Sequence, residues 1–367
     1  MIGTLDRYIL KRFVKNYAIS MFVLVSLYVV LDLFVNLDEF TEQGRSSMEV
    51  LANICDYYGY NLFWYFAQLS GAITLFAGAV TLAQMQRANE VTAVLSSGVS
   101  LFRVAAPVVI AGLFVTGLWG IDQEIVLPKI AAELARRPDD VEGQQVYGVW
   151  FLPDRNNALV SGVQFQPKQK DLYRMIIFRR DEHHLVRDVI SADRGIWMPE
   201  ERAWRLERGI QFRATGAGQA WDEGDALDRR IVDRYPLEGE SDLSPEVIQL
   251  RQASYWQQFL SLRQLVELEK KGMVSAAQIA PIRHGRVTQP VGSMVLLLLG
   301  IPFFLNRQPI SVLKSAAKCL LTCGACFILT FITQNIVQLD QFPALPAWLP
   351  LMIFGPVAVI CLDRVQT

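Results

Sequence analysis

Few residues in this chain are spaced for chemistry. Cys319, Cys323 and Cys326 stand four and then three residues apart, so a helix would gather three thiols able to hold a soft metal ion. No histidine or carboxylate joins them, and the reading favoured is small packing residues in a membrane helix. His183 and His184 are an isolated pair in a charged turn, without further ligands at zinc-site spacing. Arg283, His284 and Arg286 lie in I-R-H-G-R beside an apolar run. Their guanidinium groups could pair a lipid phosphate, or anchor the chain at a membrane–water boundary. Asp32 lies near the end of another apolar run, where an acid snorkels, faces a cavity or pairs with a second chain. Asp32, Arg283, His284 and Arg286 are thus the candidates for a lipid-headgroup contact or gate. The chain has no G-x-x-x-x-G-K-S/T, H-E-x-x-H or G-x-S-x-G, which excludes a P-loop of its own and the commonest hydrolase constellations. It reads as a non-enzyme without a cofactor.

Composition says where such residues must sit. Of 367 residues 52% are hydrophobic and 19% charged, against about 25% charged in a soluble protein. The apolar excess lies at both ends and the charge in the middle, which implies a soluble domain inserted between two membrane blocks. The net charge of −1 gives no footprint for nucleic acid. None of the cysteines (Cys55, Cys319, Cys323, Cys326, Cys361) falls in the charged middle, so that domain has no internal disulfide.

Hydrophobic periodicity then places the elements. Residues 1–128 form the first membrane block. Met1 to Lys15 reads as an interfacial helix, with Ile2, Leu5, Ile9 and Phe13 at helical spacing and Arg7, Lys11, Arg12 and Lys15 on other faces. Spans follow at Tyr17–Leu37, Tyr60–Met85 and Val104–Gly120, the third broken at Pro128. Asp38, Glu39, Glu42 and Glu49 make an acidic loop after the first. Residues 129–252 alternate with period two in short runs: 146–152, 158–165, 172–179, 185–190 and 203–212. In the last, Trp204, Leu206, Ile210 and Phe212 share a face. Turns are expected at Pro153-Asp154, Asn156-Asn157, Asp193–Gly195 and Gly216–Gly218. The pattern suits a β-sandwich, open barrel or jelly roll. Residues 253–286 read as a helical connector, with one helix at Ser254–Glu269 and a short segment at Ser275–Arg286. Residues 287–367 supply three more spans: Val287–Leu305, reached through Pro290; Leu313–Leu339, after a polar turn at Asn306–Pro309; and Trp348–Leu362.

One polar stretch, Gln84 to Arg103, separates the second and third spans. Asn89 is placed to cap a short helix with its side-chain oxygen, Glu90 suits the first turn, and Gly98 suits the stop. Val91, Val94 and Leu95 fall at i, i+3 and i+4 and make an apolar ridge. Basic residues are scarce on it, so the helix over residues 87–100 reads as one that docks on a soluble partner rather than on lipid. Arg7, Lys11, Arg12, Lys15, Arg87, Arg103, Arg307, Lys314 and Lys318 all fall on one side of the bilayer. That side is the cytoplasm by the positive-inside rule, with both termini cytoplasmic and the β domain exported, as suits a bacterial periplasm.

The same stretch, R-A-N-E-V-T-A-V-L-S-S-G-V-S-L-F-R-V-A-A-P, resembles the coupling region of the LptF/LptG (YjgP/YjgQ) family. These are the permease subunits of an ABC transporter that extracts lipopolysaccharide from the inner membrane. In order along the chain, L-D-R-Y-I-L-K-R-F, D-Q-E-I-V-L-P, W-R-L-E-R-G (Trp204 to Gly209), R-H-G-R-V-T-Q-P-V-G-S-M and A-W-L-P (Ala347 to Pro350) resemble further parts of it. V-L-D-L-F-V-N-L-D-E-F leans toward LptG. The resemblance implies six spans, a periplasmic β-jellyroll, an LptB-like ATPase dimer that binds the ATP and grips Asn89, Glu90, Val91, Val94, Leu95 and Gly98, and an LptF/LptG-like partner permease. It also implies LptC- and LptA-like proteins receiving lipopolysaccharide from the membrane. Two features depart from the family: the second span has no proline, and Asp32, Asp38 and Glu39 stand where basic residues are usual. A permease for another amphiphile, such as a lipoprotein or glycolipid, or an envelope sensor or anchor that transports nothing, would share much of this pattern.

Overall fold

No glycine or proline interrupts the sequence from Thr4 to Thr41, and the first helix, α1, runs through all of it. The structure is a computed structural model that describes residues 3–41, 47–136, 146–181, 183–213, 228–236, 241, 243–251, 256–270, 274, 276–305, 312–335 and 342–363. The expected interfacial helix and first span are therefore one rod of 38 residues, because nothing between them breaks a helix. α2 spans Ser47–Arg87, α3 Glu90–Ser96 and α4 Leu101–Ile121. The break expected at Pro128 falls one residue later, after Lys129. Before it, α4 passes into a π-helical segment, Asp122–Val126, and one more turn, Leu127–Lys129. The widened π turn opens the ladder where the Pro128 ring would otherwise meet the carbonyl four residues back.

Late in the chain lie α7 (Ala276–Gly300), α8 (Val312–Asn335) and α9 (Leu345–Asp363). The short segment and fourth span expected on either side of Arg286 are a single helix here. Pro281 and Pro290 lie inside it, since membrane helices tolerate prolines where neighbours satisfy the freed carbonyls. Among the described residues six helices are long and apolar enough to cross a membrane. The polar turn expected at Asn306–Pro309 lies outside the described residues, as do Glu42, Gly216–Gly218 and Arg307.

The chain divides into two compact units: Met1–Leu37 with Tyr58–Pro128 and Ala277–Thr367, and Asp38–Tyr57 with Lys129–Ala276. In the first, Ile9, Phe13, Leu82, Met85, Val91, Leu101, Val104, Val108, Leu297 and Leu299 share one core. Glycines let helices meet there: a Cβ on Gly78 would lie 2.7 Å from Leu297, and one on Gly112 2.6 Å from the same side chain.

The second unit holds an antiparallel sheet of 8 strands: β1 Tyr147–Pro153, β2 Leu159–Gln166, β3 Asp171–Arg180, β4 Val186–Met198, β5 Ala203–Glu207, β6 Ile210–Arg213, β7 Asp228–Ile231 and β8 Arg234–Pro236. β1 to β4 pair in sequence order. β5 and β6 both lie along β4 in one continuous register, Met198↔Ala203 through Arg194↔Glu207 and then Ser191↔Ile210 through Asp188↔Arg213. The expected single strand 203–212 is thus interrupted at Arg208-Gly209. Its alternation is also reset: Trp204 and Leu206 face the core, but beyond the break Gln211 is buried instead of Phe212. Asp193–Gly195, expected as a turn, lies inside β4. There the buried residues change from Asp188, Ile190 and Ala192 to Gly195. Arg174 (φ 48°) and Arg208 (φ 53°) sit at the level of Asp193 in the ladder. A crease therefore crosses β3, β4 and the β5–β6 line, and each strand changes its inward face at it.

After the sheet, α5 (Pro245–Leu250) is capped by Ser244, and α6 (Leu262–Lys270) follows a 3-10 turn at Trp256–Phe259. The helix expected from Ser254 to Glu269 is split. Ser261 and Gln264 form a reciprocal capping box, with the Gln264 N–H bonded to Ser261 Oγ at 3.3 Å and the Ser261 N–H to Gln264 Oε1 at 2.9 Å.

Candidate functional site

α3 is two turns long, too short to persist alone, so its neighbours must define it. Its C-terminus closes in a Schellman motif: the Gly98 N–H bonds Leu95 O (2.9 Å) and the Val99 N–H bonds Val94 O (3.3 Å). Gly98 takes φ 80°, the left-handed conformation that motif requires. The N-terminus differs from the expectation. Asn89 occupies the cap position but has φ 55° and makes no side-chain cap bond. It serves the turn instead: its N–H bonds Gln86 O at the end of α2, and asparagine tolerates the left-handed backbone that reverses the chain.

Two ion pairs fix this turn to the first turns of α1. Arg12 Nη1 lies 2.5 Å from Glu90 Oε2, and the Tyr8 hydroxyl donates to Glu90 Oε1 at 2.9 Å. The Arg12 guanidinium also lies 5.2 Å from the centre of the Tyr8 ring. Asp6 accepts from Arg103, at the start of α4, at 3.0 Å. α1 thereby braces both sides of the turn. Deeper in the unit, Asn16 donates to Thr81 Oγ1 at 2.9 Å and joins α1 to α2.

The six residues expected to meet an ATPase divide by environment. Val91 is buried in the unit's own core, and Val94 and Leu95 pack against that core. Glu90 is half-buried in its brace, while Asn89 and Gly98 are exposed. Outward, α3 and its stop present Thr92, Ala93, Ser96, Ser97 and Gly98, a small and uncharged face. Tyr8, Arg12, Asp6 and Arg103 were missed as members of this site. The spacing carries no sign of them, because each partner lies 78 to 97 residues away.

The headgroup candidates do not gather at one point. Asp32 accepts from the hydroxyls of Tyr58 (2.9 Å) and Tyr65 (3.3 Å), two phenols of this chain. Arg283 is exposed. His284 Nδ1 accepts the Trp348 indole N–H at 3.2 Å. The Arg286 side chain is only 6% exposed and donates to the backbone oxygen (3.1 Å) and side-chain oxygen of Gln123 in the π segment, with Glu124 at 3.8 Å. Arg286 is therefore a structural tie, closed off from a headgroup in this conformation.

An apolar groove of about 420 Å³ runs between α2, α7 and α8, lined by Leu75, Phe76, Val80, Leu320 and Phe327 among others. Cys319 and Cys323 line it too, their sulfurs 3.9 Å apart on successive turns. His184 contacts Asn157 in its turn.

Over residues 7–364 the sequence matches the family described as Lipopolysaccharide export system permease LptF/LptG. The chain belongs to this family. No curated protein matches it. LptF/LptG membership makes it a permease for lipopolysaccharide export, of a generally non-catalytic kind, working in a complex with a partner permease and an ATPase. The six helices and the β-sheet suit a multi-pass inner-membrane subunit of that family.

Proposed function

We propose that this chain is the LptG-like half of an ABC transporter that extracts lipopolysaccharide from the inner membrane and hands it, through a periplasmic β domain, to LptC- and LptA-like proteins. An LptB-like ATPase dimer engages α3 from the cytoplasm. The observation that carries this reading is the brace around α3. A force on Glu90 or on the exposed face beside it reaches α1 through Arg12 and Tyr8, and α4 through Asp6 and Arg103. α1 then acts as a stiff lever of about 57 Å at 1.5 Å per residue. Work must come from outside the chain, because acyl chains cost about 0.8 kcal/mol per CH₂ to leave lipid. The groove between α2, α7 and α8 supplies an apolar surface to receive them.

Glu90→Lys tests the reading. The substitution sets a cation against Arg12 and removes the acid from α3. ATPase co-purification and lipopolysaccharide export should both fall at least tenfold. Normal recruitment together with normal export would sink the proposal and leave the envelope-anchor reading.

A further inference from the structure

We infer that Asp32, with Tyr28, Tyr58 and Tyr65, forms a receptor for an ammonium group on the headgroup of an amphiphile. The phenols of Tyr58 and Tyr65 both donate to the same carboxylate oxygen, Oδ2, and so fix the direction of the other one. No lysine or arginine pairs with Asp32 among the described residues. The rings complete the setting. The Tyr65 ring lies 4.6 Å from that of Tyr28, tilted by 48°, and 6.3 Å from that of Tyr58, and Tyr58 and Tyr65 are 8% and 4% exposed. Tyr28, one turn before Asp32 and so on the same face of α1, is 42% exposed. A carboxylate with one oxygen held and an aromatic ring on the same helix face is chemistry for an organic cation, which donates a charge-assisted hydrogen bond to the first and makes a cation–π contact with the second.

Depth selects the source of that cation. Asp32 follows Arg12 by 20 residues on an unbroken helix, or about 30 Å, the thickness of the hydrocarbon core. With the Arg12–Glu90 brace at one interface, Asp32 stands among the headgroups of the other. The α1 span is also the least buried of the six, 11% of its most apolar window, so this face is open to lipid. Lipid retention at this site needs no ATPase coupling.

The test uses the full chain in nanodiscs made from equal parts phosphatidylethanolamine and its N-acetylated form, with retained lipid identified by mass. Wild type should retain the free amine in roughly three- to tenfold excess. Asp32→Asn keeps an acceptor for both phenols and removes only the charge, and the excess should vanish. Asp32→Glu should restore part of it, which separates charge from folding. Equal retention of the two lipids by wild type, or an undiminished excess in Asp32→Asn, overturns the inference. So does an excess that disappears when the partner permease is added, which would assign the site to a cationic side chain of that partner. If that ammonium site fails while Glu90→Lys still uncouples export, the transporter reading stands without it.

Discussion

The two units hold their polar groups in opposite ways. The membrane unit gathers charge near the ends of its spans: the Arg12–Glu90 and Asp6–Arg103 pairs at one level, Asp32 at another about 30 Å along α1. Between them, helices meet through glycine and small apolar contacts, with neutral hydrogen bonds such as Asn16–Thr81 and Trp119 to the Ala67 carbonyl among them. The β unit instead buries polar atoms within its core and pairs several of them there. The Trp204 indole donates to Leu243 O at 2.7 Å, Tyr235 donates to Asp154 at 3.0 Å, and Arg194 pairs with Asp171. The difference follows from the solvent. Water drives apolar side chains into the β core, so polar atoms trapped there need partners. Lipid gives helices no such drive, leaving packing contact and the polar brackets to fix their arrangement.

The sharpest way to break this comparison is to remove one fully buried ring from each unit. Trp204 is 0% exposed and lies 5.5 Å from Trp197. Trp204→Ala should destabilise the β unit by about 3–5 kcal/mol, since it opens a cavity and strands the Leu243 carbonyl. Phe13, 1% exposed in the membrane unit, should give only about 1–2 kcal/mol as Phe13→Ala, the share due to packing contact. Limited proteolysis over a denaturant series reads both. Equal losses would mean that the two cores obey the same physics.

Glycine contacts come next. Gly78→Val would force a side chain to within 2.7 Å of Leu297 and 3.3 Å of Val108, whereas a Cβ at Gly117 meets nothing within 4 Å. Overpacking of this kind costs about 1–3 kcal/mol. Thermal unfolding in detergent should therefore separate Gly78→Val from Gly117→Val, and matching midpoints would deny that close helix approach orders the membrane unit.

What the sequence disclosed divides along the same line. Six spans, five of the strand positions and the Gly98 stop were legible because each depends on neighbours within a few residues. The crease was not. Arg174 and Arg208 adopt positive φ because adjacent strands change face at one level, and neither arginine is a residue type that announces such a conformation. The split at Ser261 was legible in principle, because S-L-R-Q is a capping signature, yet the apolar spacing around it reads as one helix. The candidate site was half visible. Glu90 and Gly98 stood out locally, but the Arg12 that holds Glu90 looked like one of four membrane-surface cations.

That ambiguity about Arg12 can be resolved by exchange. Arg12→Glu alone should loosen α3 by about 1 kcal/mol, as the side chains are 25% and 29% exposed and part of the attraction is screened. Combining it with Glu90→Arg restores an opposite-charge pair. If Glu90 acts through the brace, hydrogen-exchange protection of residues 90–97 and ATPase recruitment both recover in the double variant. If Glu90 serves the ATPase directly, protection recovers and recruitment does not.

The smallest effect belongs to the β unit's surface. Burial pushes the Glu246 carboxyl up, but Lys170 at 2.8 Å, its own backbone amide and the Ser244 hydroxyl outweigh that and hold it below the ordinary value. A carboxyl lowered on folding stabilises fully above its unfolded value of about 4.3 and loses that contribution as pH falls through the lower folded value. The partners are 44% and 52% exposed, so the pair contributes about a few tenths of a kcal/mol. Lys170→Met should therefore lower the β unit's urea midpoint slightly at neutral pH and leave it equal to wild type once Glu246 is protonated. A difference that persists in acid would show that Lys170 acts through its methylene stem, making this surface contact one of packing, like those of the membrane unit, rather than of charge.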